Sequence, residues 1–106
     1  MQSNANAQSN EKKGKNRKMR VVIIWREDTE YARSVIEWLR DCERRIGLTP
    51  ESLSPDEPDG ESLCRTYDVV EYPTILAMND DGNVLQAWRG RDLPRIDDVS
   101  YYLIEH

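Results

Sequence analysis

Val21-Val22-Ile23-Ile24-Trp25 is an unbroken apolar run, the longest in the chain. A half-exposed strand alternates apolar with polar residues, and an amphipathic helix returns to its apolar face every three or four. Four β-branched residues and a tryptophan in succession fit neither pattern; they fit a strand buried on both faces. Such a strand needs cover above and below, so the chain is expected to fold as a sheet between layers of helix, with this strand near the middle. The same run is far too short to cross a membrane, which takes about 20 residues. The first residues lack the apolar stretch of a secretory signal, so the expected location is the cytoplasm.

Charge divides the sequence. Residues 1 to 20 carry six basic side chains (Lys12, Lys13, Lys15, Arg17, Lys18 and Arg20) against Glu11 alone, whereas from Val21 onward nine arginines face 19 carboxylates. The basic segment opens with Gln, Ser, Asn and Ala and has no apolar period, so it cannot offset the entropy of ordering and reads as a disordered tail. A polyanion contact by this tail, with the domain behind it as a passive scaffold, is one alternative function. Base readout of nucleic acid is not expected, because no aromatic residues interleave with the lysines and the body is acidic.

The remaining 86 or so residues, by count from Val21, read as one domain. Asp28 or Thr29 is positioned to cap a helix whose apolar residues Ala32, Val35, Ile36, Leu39, Cys42 and Ile46 recur at helical spacing. Arg44 and Arg45 suit its negative pole, and Gly47 follows as the stop. Leu48 to Ser54 reads as a short strand that Pro50 confines to a sheet edge. Pro55, Pro58, Asp59 and Gly60 read as a turn, after which Leu63, Cys64 and Tyr67 share one face of a second helix. Tyr72-Pro73 breaks the chain. Thr74 to Met78 is a second apolar strand, joined through Asp80-Asp81-Gly82-Asn83 to an antiparallel partner at Val84 to Arg89. Asp92 and Pro94 open a last helix with the stripe Ile96, Val99 and Leu103. Right-handed crossovers put the first two helices on opposite faces, so Cys42 and Cys64 are expected as two separate thiols rather than a disulfide. Trp38, beside the main stripe of the first helix, is expected to be a partly buried indole.

In this order and spacing, residues 21 to 106 resemble the thioredoxin superfamily. Val-Ile-Ile-Trp25 leading into a helix is similar to the strand that ends at the thioredoxin active site. Tyr67-Asp68-Val69-Val70-Glu71-Tyr72-Pro73-Thr74-Ile75 is similar to the family's Tyr-x-Val-x-x-x-Pro-Thr segment, and Asp81-Gly82 with Trp88-Arg89-Gly90 fits its closing hairpin. The resemblance implies a β-α-β-α-β-β-α three-layer sandwich around a four-stranded mixed sheet, lacking the family's first strand and helix.

The resemblance also locates an absence. In that family the strand-to-helix turn reads Trp-Cys-Gly-Pro-Cys, and a helix N-terminus lowers the pKa of the first cysteine. Counting on from Trp25, Thr29, Glu30, Tyr31 and Ala32 stand where Cys-Gly-Pro-Cys would be, so both thiols are missing. The family's buried aspartate, two residues before the tryptophan, is replaced by Ile23. Both departures imply a domain without disulfide exchange. Pro73 corresponds to the family's cis-proline, which faces the active-site turn. It implies a docking groove lined by Trp25, Thr29, Tyr31, Tyr72, Pro73 and Thr74, suited to a protein or peptide partner.

Other chemistry finds little support. Glu27, Asp28 and Glu30 crowd the start of the first helix, where the macrodipole favours acidic residues without catalytic duty. The lone histidine is His106, and the cysteines lack ligand spacing, so no metal site is expected. Without a phosphate-cradling glycine loop, no cofactor is expected either. A monothiol redox protein using Cys42 or Cys64 is the remaining enzymatic alternative, although both fall on apolar helix faces where cysteine acts as a small hydrophobe.

Overall fold

The computed structural model describes residues 19–104. The basic segment upstream of Met19 and the terminal His106 lie outside the described residues, and with them the expectations of a disordered tail and of its polyanion contact. The elements run β1 (Arg20–Ile24), α1 (Ala32–Ile46), β2 (Glu51–Leu53), α2 (Pro58–Tyr67), β3 (Thr74–Met78), β4 (Val84–Arg89) and α3 (Ile96–Leu103). The four strands form one sheet in the order β2-β1-β3-β4. β1 pairs with β2 in parallel, and the β1–β3 and β3–β4 pairs are antiparallel. The expected order and a mixed sheet are both present.

The apolar run explains the layering. Successive residues of a strand point to opposite faces, so a run without polar interruptions supplies two cores at once. On one face Val21, Ile23 and Trp25, with Ile75 and Ala77 of β3, meet Ala32, Val35, Trp38 and Cys42 of α1 and Ile96 and Val99 of α3. On the other, Val22, Ile24, Leu76 and Met78 pack with Val69 against Leu63, Cys64 and Tyr67 of α2 and against Tyr72. The first two helices thus lie on opposite faces, as expected from handedness, and each cysteine belongs to a different core. No helix among the described residues is long and apolar enough to cross a membrane.

Boundaries depart from the sequence expectations where local hydrogen bonding competes with pattern. β1 starts one residue earlier, at Arg20, whose guanidinium grips Glu51 of β2 through two bonds of 3.0 and 3.2 Å. α1 begins at Ala32, after an uncapped Tyr31, because the hydroxyl of Thr29 donates to the Arg26 carbonyl instead of capping. Glu27, Asp28 and Glu30 therefore sit in the preceding turn, outside the helix. On α1 it is Trp38 that is buried, its indole Nε1–H donating 2.8 Å to the Pro94 carbonyl, while Ile36 is 39% exposed. Gly47 ends α1 in the left-handed region with φ 71°.

β2 is only three residues long, with Pro50 buried just ahead of it. Pro58, Asp59 and Gly60 belong to the first turn of α2 and not to a free turn. Proline at a helix start loses no bond, and Asp59 and Glu61 complement the positive pole. Gly60 is required by contact: a Cβ there would lie 1.8 Å from the Ser54 carbonyl oxygen. α3 starts at Ile96, later than Asp92 and Pro94 proposed, since its N-cap Arg95 is still extended.

Candidate functional site

Where β1 ends, Arg26 to Tyr31 turn the chain into α1. The backbone N–H of Arg26 donates 2.9 Å to the Tyr31 phenol oxygen, and the Thr29 hydroxyl donates 2.9 Å to the Arg26 carbonyl. The N–H of Ala32 closes the turn on the Thr29 carbonyl. Thr29 and Tyr31 thus spend their polar atoms on holding the turn. Ala32 is buried against the α1 side of the sheet and Glu30 is exposed, with its carboxylate 3.6 Å from Arg91. Ile23 is fully buried in the same core.

Arg26 is the centre of this region, and sequence reasoning passed over it. Its side chain forms two bonds of 3.0 and 3.1 Å to Asp56, at the end of the β2–α2 connection. Its guanidinium carbon also lies 5.0 Å from the centroid of the Tyr72 ring. The one available signal was position: residues just beyond the carboxyl end of a central strand are where open α/β sheets gather their sites. The hydrogen bonds to Asp56 raise the Arg26 pKa and hold the Asp56 carboxyl below its ordinary value.

Tyr72 joins this set from the other side. Its hydroxyl points at the Cys64 sulfur, 3.9 Å away, and burial followed by that contact pushes the phenol pKa up. The Tyr72–Pro73 peptide bond is cis. Pro73 itself is fully buried, its carbonyl accepting the Gly90 N–H at 2.8 Å. Thr74 is fully buried too, and its hydroxyl donates 2.6 Å to the Glu71 carbonyl. Trp25 keeps only 9% exposure, with its indole N–H donating 2.7 Å to Ser52 Oγ.

The residues of the expected groove divide by exposure. Of its six lining residues, Thr29, Tyr31 and Tyr72 retain partial exposure, while Trp25, Pro73 and Thr74 are consumed by core packing and internal bonds. A cleft of about 470 Å³ runs between the turn after β1 and the connection after β2, lined by Trp25, Arg26, Asp28, Ser52, Asp56 and Glu57 among others. Four carboxylates (Glu27, Asp28, Asp56 and Glu57) edge it against the single cation Arg26.

Neither cysteine lies in the turn itself. Cys42 is fully buried, and burial, reinforced by Asp41 and opposed by Arg45, raises its pKa to about 11. Cys64 is half-buried on α2, and both thiols are free.

No protein-family model matches this sequence, nor does any curated protein. Its shape, in contrast, is shared with solved structures. A chain of the crystal structure of the complex of ferredoxin:thioredoxin reductase and thioredoxin f2 matches with a TM-score of 0.57 at 14% identity, over 79% of this chain and 73% of that one. Thioredoxin-2, described as a component of malaria parasite protein secretion machinery, gives 0.57 at 17% identity over 78% of both chains. The solution structure of a thioredoxin from Thermus thermophilus gives 0.54 at 20% identity, over 80% of this chain and 71% of that one. The fold is thioredoxin-like.

Proposed function

We propose that this chain is a thioredoxin-fold binding domain without disulfide exchange, which receives an extended protein segment across Tyr72, Arg26 and the cleft beside Trp25. The observation that carries the reading is the make-up of the turn after β1. Where the resembled family needs two thiols, Thr29 donates its hydroxyl inward and Ala32 offers a buried methyl. A hydroxyl in that place is no comparable nucleophile, and nothing there can form or break a disulfide. Cys42 cannot substitute, being buried and protonated at neutral pH, so a monothiol mechanism would have to use Cys64.

What remains beside the turn is a surface for recognition. Arg26 is already paired with Asp56, leaving Glu27, Asp28 and Glu57 to give the cleft an acidic surplus. That charge suits a segment bearing lysine or arginine. Val70, 81% exposed and just ahead of Tyr72, adds an apolar contact on the same loop. Two separate free thiols fit a domain that works in the reducing cytoplasm.

Two measurements test this. Reduction of a protein disulfide with dithiothreitol as electron source should not exceed the dithiothreitol background for wild type or for the Cys42→Ser, Cys64→Ser double variant. Turnover that vanishes in the double variant would overturn the redox-inactive reading. Titration with lysine-rich and acidic peptides, followed at the Trp25 indole signal, should show saturable binding of the former, weakened about tenfold by Tyr72→Ala or Asp28→Asn. Equal binding of both peptide sets, or no change in either variant, would remove the cleft as the contact surface.

A further inference from the structure

The cleft beside Trp25 and the residues ahead of the described fold carry opposite charge. Of the carboxylates that edge the cleft, Asp56 is taken by Arg26. Among the described residues, no cation pairs with those of Glu27, Asp28 and Glu57. Residues 1–18, outside the described fold, hold all four lysines of the chain and Arg17 against Glu11 alone. The cations that the cleft lacks are thus carried by the same molecule, ahead of β1. The chain enters the sheet at Arg20, whose guanidinium is held by Glu51 of β2. β2 runs parallel to β1, and its Ser52 and Leu53 line the cleft. The entry point and the cleft therefore lie at opposite ends of one strand pair.

We propose that Lys12, Lys13 and Lys15 fold back into this cleft and occupy it in competition with other basic segments. The inference rests on the reading of the cleft as a site for a segment bearing lysine or arginine, and adds its resident occupant. Length permits the contact. Trp25 lies five residues beyond Arg20 along an extended strand, about 17 Å, whereas the eight residues back from Arg20 to Lys12 can span up to about 28 Å. A linker of eight residues averages about 16 Å end to end, close to that distance. Such a match gives a tethered segment its highest effective concentration, of roughly millimolar order. A contact too weak to persist between separate molecules is then populated within one. Exposed ion pairs are weak singly, so the lysines compete with a partner without excluding it, and their hold loosens as salt rises.

The test compares the full-length protein with the triple variant Lys12→Gln, Lys13→Gln, Lys15→Gln, each with and without Asp28→Asn. In wild type the Trp25 indole signal should move with added salt toward its position in the triple variant, whose own signal stays in place. A lysine-rich peptide should bind the triple variant about two- to tenfold tighter than wild type. That gain should shrink in the Asp28→Asn background, because the lysines and Asp28 act through one contact. An equal gain there means that the lysines only repel the peptide at a distance, and overturns the proposal. Carbodiimide coupling in a mixture of isotope-labelled and unlabelled protein should join Lys12, Lys13 or Lys15 to Asp28 or Glu57 within single copies. Links between labelled and unlabelled copies would assign the cleft to the lysines of a second copy and overturn occupancy within one chain. Saturable peptide binding of equal strength in wild type and triple variant, with no such link, overturns the occupancy by these lysines and leaves the reading of the cleft intact. Peptide binding by neither protein removes both.

Discussion

Arg26 ties three pieces of chain at side-chain level: the turn after β1, the β2–α2 connection through Asp56, and the loop ahead of β3 through the Tyr72 ring. The tie is exposed, so it contributes geometry more than stability. Its pH dependence has a definite sign. The Asp56 carboxyl titrates below its ordinary 3.8 because Arg26 bonds its ionised form, so the contact is complete above that value and is lost as pH falls through the lower folded value. The Tyr72 ring signals in a nuclear magnetic resonance titration should move in that acid range, and Asp56→Asn should abolish the step. The cysteines differ just as sharply. Cys64 should take up an alkylating reagent in the native protein at pH 8, whereas Cys42, buried and raised to about 11, should be modified only on unfolding, as counted by mass spectrometry. Gly60 supplies a reversal of helix propensity. Alanine is normally the better helix residue, yet Gly60→Ala drives a methyl into the Ser54 carbonyl and should cost about 1–3 kcal/mol in denaturant unfolding.

At the level of elements, strands were readable where a run of β-branched residues had no competing pattern, as in Val21 to Ile24 and Thr74 to Met78. Helix starts were less so, because Asp, Thr and Pro serve turns and caps alike, and only the hydrogen bond finally made decides between them. Thr29 bonded back to Arg26, and α1 slid on to Ala32. Pro58 and Gly60, a turn pair by composition, opened a helix. The buried face of α1 was misjudged by one residue for a related reason: Trp38 found the Pro94 carbonyl of a distant loop, a contact no local period contains. Trp38→Phe should therefore cost about 1–2 kcal/mol through the stranded carbonyl, and Ile36→Ala should stay within about 0.5 kcal/mol, both by chemical denaturation. The candidate site was legible in kind and not in outline. Loss of the thiols could be counted from Trp25, but the cleft beside it also needs Ser52, which bonds the indole from a strand of only three residues.

Across the whole molecule, the sheet gives two cores of different make-up. Two helices cover one face and a single helix covers the other, so the α1 and α3 side carries the tryptophans and the α2 side is closed by Tyr67, Tyr72 and shorter aliphatics. The cleft argued to bind a ligand sits at one end of that sheet, beyond the carboxyl ends of the parallel pair β1 and β2.

The central position of β1 also dictates when the protein can assemble. β1 is the first strand made among the described residues, yet its antiparallel partner is β3, with Arg20 opposite Met78. While the ribosome is still producing the residues between them, the most apolar stretch of the chain has only the three-residue β2 as a strand neighbour, with α1 and then α2 as cover. Its edge toward β3 stays unpaired until the hairpin emerges, and the cover that α3 adds beside α1 comes last. Synthesis thus runs through a period in which Val21 to Trp25 lacks its antiparallel neighbour, a segment for a chaperone to hold, and the native sheet forms after translation has passed β4 and not alongside it.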